Sequence, residues 1–509
     1  MVVCLRKFNI FEKHSLYIIQ EKQTLRKRFE VQYELGATPI EELDIPVRSR
    51  DEMPPVLRAL QYIYTTPELN QKVFDILEAK IMAGKKKTGR PGMTLWEILV
   101  LATVRLTRDA DYDELHYMVT TDNLIRGLLG ANKFGETRRD YPLQTIKDNV
   151  GLVDEETLEK INELVVKAGH QLLKKNDALD VKVDSYVLES NVHFPTDLSL
   201  LYDAGRKCAE LARKIASDAQ ISGWRKAKSW SRRLKNHCRK VGKLCACGGR
   251  HKALRVRQAA LDYLDCAEAL RQKLIADMPS LEQAAQTSEK QANRFQRLRY
   301  FFDHLEKHID LVRRRLIDGE TIPHEEKVFS VFEPYTEWIK KGKAGNRPEL
   351  GLPICVAKDQ YGFILTHRVM QKEHDEEVAI PIAEKLIERY PIRSLSFDKN
   401  FWSVRNYRAL SPLVAILVLP KKGKRNQEEY EREHTKAFKT LRRHHASVES
   451  AIHALEHHGL NRCPDRGIDH FKNYVGLGVL AYNLHQLGNI LLKKDRKALS
   501  KNRGYRKAA

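Results

Sequence analysis

Three acidic side chains stand where the chain changes its local state. Asp184 lies in a run where Val181, Val183 and Ser185 alternate with Lys182, Asp184 and Tyr186, the period of a strand. Asp398 closes the short run Leu395-Ser396-Phe397, and Glu449 sits mid-helix in Val448-Glu449-Ser450-Ala451-Ile452. An acid at the carboxyl end of a strand, in a mixed or open sheet, points into the crevice where such sheets place their ligands. An acid within a strand must face solvent, a partner or a cation, because burying a lone charge is expensive. Mg2+ prefers hard oxygen donors and needs only a few carboxylates, leaving positions for water and phosphate. Two such ions about 3.5–4 Å apart can activate an attacking oxygen and stabilise a leaving one at a phosphodiester. Two aspartates and one glutamate are enough for that chemistry. Taken singly, each is an ordinary surface acid, and 67 acids offer many triples, so context must decide.

The elements that would position them are legible in outline. Residues 1–55 are polar and mixed. Residues 56–175 read as helical, with a start signal at Thr94, whose side chain can cap while Glu97 bonds back. Leu95, Ile98, Leu99, Ala102 and Leu106 then form one apolar face. After the strand around Asp184 and a turn at residues 191–197, residues 197–318 are helical without any strand signal. Two stripes mark long antiparallel helices, Leu261, Leu264, Ala267 and Leu270 to Leu274, then Phe295, Leu298, Phe302, Leu305, Ile309, Val312 and Leu316. Met278-Pro279-Ser280 is the expected break between them. Strands are expected at 328–338, 350–357 and 363–370, the last two forming a hairpin across residues 358–362. A helix at 376–390, a short strand to Asp398, a helix at 404–410, a strand at 413–419 and long helices at 428–458 and 471–492 follow. The order predicts a helix-rich α/β fold, a mixed sheet with helices on its faces, carrying a helical insertion.

Charge names the class of partner. The chain has 89 Lys and Arg against 67 Asp and Glu, a formal net charge of +22, which favours a polyanion. Residues 206–257 hold 17 Lys or Arg and two acids, interleaved with Trp224 and Trp230. Arg225, Arg232 and Arg233 suit a phosphate backbone there, and the two indoles could stack on unpaired bases. A basic loop with Lys85, Lys86, Lys87 and Arg90 could lie on phosphates, as could Lys343. Trp402 follows Asp398 closely enough to meet a base, and His445 lies one helical turn from Glu449. Packing explains Trp402 equally well, and a site for hard cations favours oxygen over imidazole, so His445 is read as supporting the site or touching DNA. Cys238, Cys245 and Cys247 have no standard zinc spacing, and the eight scattered cysteines suit a reducing cytoplasm. No run reaches the roughly 20 apolar residues of a membrane span, and the N-terminus lacks a secretory signal.

The wording around the three acids is more specific than their spacing. The segment from Val183 to Asp197 resembles the first catalytic block of DDE transposases of bacterial insertion sequences. Ser396 to Phe401 resembles the second, and Val448 to Ile452, followed by Gly459 to Asp465, resembles the third. Arg90 to Gly130 is similar to the N-terminal helical domain of these enzymes, so the resemblance runs from about 56 to 490. It implies an RNase H-like catalytic fold, with Asp184, Asp398 and Glu449 as catalytic and metal-binding residues for two Mg2+ or Mn2+ ions. It also implies double-stranded DNA as partner, at the terminal inverted repeats and the target, and a homodimer on paired ends. Two departures stand out. The insertion follows Asp184 instead of separating the second Asp from the Glu. The Tyr, Arg and Lys that some relatives place around the Glu are here Arg442, His445 and Glu456, so those roles do not carry over.

The expectation is therefore a DNA transposase acting in the bacterial cytoplasm on the nucleoid, with no membrane association. Its parts would be an extension at 1–55, a helical DNA-binding domain at 56–175, a catalytic domain at 176–200 and 325–492, a basic helical insertion at 201–324 and a basic tail at 493–509. A nuclease that cuts without joining, or a DNA-binding protein without catalysis, are the rival readings.

Overall fold

A computed structural model describes residues 26, 28, 38–84, 92–131, 140–174, 177–340 and 347–508. They form two units, one from Met1–Glu189 with Leu352–Ala509, the other from Ser190–Gly351.

The first unit begins with helices α1 (Met53–Thr65), α2 (Pro67–Ile81), α3 (Leu95–Thr107), α4 (Tyr112–Thr121), α5 (Asn123–Leu128), α6 (Leu143–Val150) and α7 (Glu155–Leu173). The expected cap of α3 is present. Thr94 Oγ1 accepts the Glu97 N–H at 3.2 Å, and Glu97 accepts the Thr94 N–H at 2.7 Å. The single apolar face read from sequence understates this helix, because all of its residues are buried. Arg105 is among them. Its guanidinium meets Asp465 through two hydrogen bonds of 2.9 and 2.8 Å and lies over the Tyr112 ring at 4.0 Å. A buried arginine is tolerable only with its charge and donors matched in this way.

Strand β1 (Leu179–Ser190) ends at the second unit, which holds α8 (Asp197–Asp218), α9 (Ala227–Ala246), α10 (Lys252–Ala285), α11 (Glu289–Leu316) and the short β2 (Glu337–Ile339). The four helices share a core that includes Leu201, Cys208, Trp224, Leu234, Leu264, Leu270, Leu298 and Leu305. Both predicted stripes face it. Two expectations fail here. Helix α10 runs through Pro279, because buried Leu274 and Leu281 on either side hold the axis while one backbone bond is lost. Of the strand expected at 328–338, only its end pairs. Ser330 Oγ accepts the N–H groups of Phe332 and Glu333, Pro334 has no N–H to offer, and Phe329 instead packs its ring on Trp338.

The chain returns along β3 (Glu349–Lys358), β4 (Ile364–Val369), α12 (Asp375–Arg389), β5 (Ile392–Phe397), α13 (Val404–Leu410), β6 (Ile416–Val418), α14 (Gln427–His434), α15 (Lys436–His445), α16 (Ser447–Leu455), β7 (Arg462–Cys463) and α17 (Ile468–Ala508). The sheet order is β2-β3-β1-β5-β6, with β4 beside β3 and β7 beside β1. Pairing is antiparallel in β2/β3 and β3/β4 and parallel in β1/β5 and β5/β6. This is the RNase H-like mixed sheet expected. The long helix foreseen at 428–458 is instead three. Thr435 leaves helical geometry (ψ 148°) and caps Phe438, and a second break falls at Ala446. Helix α17 packs on α1, α3 and α7, so close to α1 that a Cβ at Gly488 would sit 1.8 Å from the Pro55 carbonyl oxygen.

Asp465→Ala is expected to lower the thermal midpoint, since a buried arginine losing its only carboxylate costs about 3–5 kcal/mol. An unchanged midpoint would show that Arg105 is not stabilised by this pair.

Candidate active site

The parallel register of β1 and β5 sets Lys182 against Ser396 and Val183 against Phe397. The next residue on each strand is acidic, so Asp184 and Asp398 leave the pairing as neighbours, one strand spacing of about 4.8 Å apart. Asp184 is half-buried, and its Oδ1 accepts the Ser185 N–H at 2.8 Å. Burial pushes its carboxyl up to about 7, and the negative charges of Asp398, Asp375 and Glu449 add to that rise, against the pull of the Ser185 N–H.

Glu449 lies in the first turn of α16, not mid-helix as expected, and it is exposed. Two contacts position its helix. Lys358 Nζ, at the end of β3, donates to the Ser447 carbonyl at 2.8 Å. His445, the last residue of α15, places Nδ1 3.0 Å from Ser396 Oγ on β5. Burial lowers the His445 pKa despite the opposing pull of Asp398 and Glu449, so the ring is neutral. Its Nε2 is buried and has no hydrogen-bond partner among the described residues.

The chain after α16 is anchored from the helical side. His458 Nδ1 lies 3.2 Å from the carbonyls of both Leu106 and Thr107. Gly459 has φ +86°, and a Cβ there would meet Asp109 Oδ1 at 2.6 Å and Tyr474 Oη at 2.7 Å. The Asn461 carbonyl accepts the Glu189 N–H at 3.2 Å. With the Arg105–Asp465 pair, these contacts give the Gly459–Asp465 segment a structural task.

Sequence reasoning missed Asp375, the first residue of α12, whose Oδ1 accepts the Ser185 hydroxyl at 2.6 Å. Asp375-Glu376-Glu377 reads locally as an ordinary acidic helix start. Among the described residues, none of Asp184, Asp375, Asp398 and Glu449 forms an ion pair with a basic side chain. Nor do three His, Cys, Asp or Glu side chains close into a ready metal cage. The donor set still fits a hard divalent cation, since several oxygen ligands crowd together without a counter-charge, and substrate phosphate and water complete such a shell.

The remaining candidates divide. Lys85, Lys86, Lys87, Arg90 and Lys343 lie outside the described residues. Arg225, Arg232 and Arg233 are exposed, and Arg233 lies 4.9 Å from the half-buried Trp230 ring. Trp224 is only 2% exposed, in the core of the helical bundle, which removes it as a base-stacking residue. Trp402 is likewise buried, packed 5.7 Å from the Tyr407 ring with the Arg432 guanidinium 5.7 Å away. Cys238 donates its thiol to the Leu198 carbonyl, while Cys245 and Cys247 are exposed.

Residues 313–484 match the model of the transposase DDE domain. The chain carries a transposase DDE domain. With that domain come, in general terms, polynucleotidyl transfer as the activity and DNA as the partner. The match takes in Asp375, Asp398 and Glu449 and ends short of Asp184, which the β1/β5 register alone ties to the domain. No curated protein and no solved structure matches the chain. Among the described residues, no helix is long and apolar enough to cross a membrane.

The raised Asp184 carboxyl has a consequence for stability without metal. Between the ordinary value near 3.8 and about 7, the folded state holds a proton that the unfolded state has lost. Folding stability therefore falls as pH rises through that window. In chelator, Asp184→Asn should gain thermal midpoint over the parent protein between about pH 5 and about pH 8. A difference independent of pH would mean that Asp184 is not in this environment.

Proposed function

We propose that this chain is the transposase of a bacterial mobile element. It binds the element's terminal inverted repeats, cuts the strand at each end and joins the freed 3′-hydroxyl to target DNA. The observation that carries the reading is the register that sets Asp184 beside Asp398, with Glu449 acting on the same carboxyl, joined to the DDE-domain match over Asp398 and Glu449.

Asp184 and Asp398 bind two Mg2+ or Mn2+ ions from the sheet, and Glu449 completes the set from the first turn of α16. When bound, the ions supply activation of the attacking oxygen and stabilisation of the leaving one. Asp184, with its carboxyl near neutrality in the bare protein, releases its proton when the site is loaded. His445, neutral and oriented through Ser396, supports the carboxylates without taking hard-cation coordination from them.

The basic helices hold the DNA backbone. Only Ala227, Leu234 and Val241 of α9 are buried, so its seven Lys and Arg, among them Arg232 and Arg233, are left to meet phosphate, with Arg225 just before the helix. Trp230, with Arg233 over its ring, offers a stacking surface at the same face. The helical segment 56–175 and the insertion 201–324 serve as DNA-binding parts around the catalytic segments 176–200 and 325–492. Two ends cut together require two active sites, so the working unit is a homodimer on the nucleoid in the cytoplasm.

The test is Mg2+-dependent cleavage and strand transfer on DNA carrying the element's ends. Asp184→Asn, Asp398→Asn and Glu449→Gln should each reduce both by at least about 100-fold, the order seen when one group stabilising transition-state charge is removed. Cleavage that survives in all three variants would overturn the assignment. Fragments released from pre-cut ends without joined product would make the chain a nuclease instead.

A further inference from the structure

The carboxylates divide by where they enter the site. Asp184 and Asp398 come from the sheet and Glu449 from α16, whereas Asp375 comes from the start of α12. Asp375 is half-buried and linked to the strand acid through one residue. The Ser185 hydroxyl donates to Asp375 Oδ1 at 2.6 Å, while the Ser185 N–H donates to Asp184 Oδ1 at 2.8 Å. A hydroxyl carries a single proton, so Asp375 Oδ2 is left without a hydrogen-bond donor among the described residues.

The start of α12 is also fixed to the loop that carries Asp398. Asn406, 2% exposed, donates its side-chain amide to the Glu376 carbonyl at 2.6 Å and the Phe401 carbonyl at 2.9 Å. One buried amide thus ties the residue after Asp375 to the turn Lys399–Phe401 that follows Asp398. Both acids are held in a fixed relation before any ligand arrives. Lys422 is the nearest basic group felt by Asp375 besides its neighbour His374, and its ammonium is used on the Asn400 carbonyl at 3.0 Å. Like charges are seldom braced together in a chain with 89 Lys and Arg unless a cation is to sit between them.

We propose that Asp375 is a fourth carboxylate of the divalent-cation site. This rests on the reading that Asp184, Asp398 and Glu449 bind the cations. Asp375 Oδ1 stays with Ser185, and Oδ2 faces the cation shell, directly or through a bound water. The role differs from that of a helix cap, because the N-terminal bonding of α12 is already made by His374 and Glu377, whose carboxylate accepts the His374 N–H at 2.7 Å.

The experiment is Mn2+ binding to the full-length, chelator-stripped protein, followed by calorimetry and by loss of the free-ion paramagnetic resonance signal. Asp375→Asn should weaken Mn2+ binding by about tenfold or more, the range for losing a group that supports a metal site. Its thermal midpoint in chelator should not fall below that of the parent, since one of several like charges has been removed. Asp375→Glu, which restores a carboxylate on a longer stem, should bind Mn2+ more tightly than Asp375→Asn. Parental affinity in Asp375→Asn with lost affinity in Asp184→Asn would overturn the fourth carboxylate and leave the three-acid reading standing. Parental affinity in both would overturn the three-acid reading itself. Equal losses in both Asp375 variants, with lowered midpoints in chelator, would mark a packing role and overturn the proposal.

Discussion

The parallel pairing of β1 with β5 is the constraint on which the site depends. A shift of one residue would turn Asp184 to the other face of the sheet and separate it from Asp398. The register is fixed by burial. Val181 and Val183 on β1 and Leu395 and Phe397 on β5 are all buried, so slippage would expose apolar surface and bury Lys182 and Asp184 on the wrong side. The same apolar residues that specify the sheet therefore specify the acid pair.

Crowded carboxylates repel, and the surrounding fold absorbs that repulsion through polar contacts made to other residues. Asn406 braces α12 against the Asp398 loop, Lys358 braces α16 against β3, and Ser396 meets the His445 ring. Further out, the Arg105–Asp465 pair and the tight passage at Gly459 fix the chain that leaves α16. None of these residues needs to touch substrate. They hold elements whose preferred arrangement without a cation would be further apart, as expected of a site organised in advance of its ligand.

Much of this was legible because strand and helix periods write the burial pattern directly into the chain. The alternation around Asp184, the short run before Asp398 and the Thr94–Glu97 cap all appear as expected. What failed depends on partners distant in sequence. Trp224 sits among arginines and looks like a residue for bases, yet the packing of α8 to α11 buries it. Pro279 looks like a break, yet the buried leucines around it carry the helix through. Asp375 looks like a helix start, and nothing nearby announces that Ser185, 190 positions earlier, will bond to it. Glu449 was found by its neighbours in sequence but misplaced within its helix, because the Ala446 break is a tertiary choice.

The central claim is that Asp184 and Asp398, with Glu449, form one cation site. Anomalous diffraction at the manganese edge, from crystals of the protein grown with Mn2+ and a DNA end, tests it most directly. The account predicts two peaks about 3.5–4 Å apart, with Asp184 and Asp398 oxygens in contact and Glu449 on one of the ions. Peaks elsewhere, or Asp184 and Asp398 turned apart and paired with lysine or arginine, would contradict it.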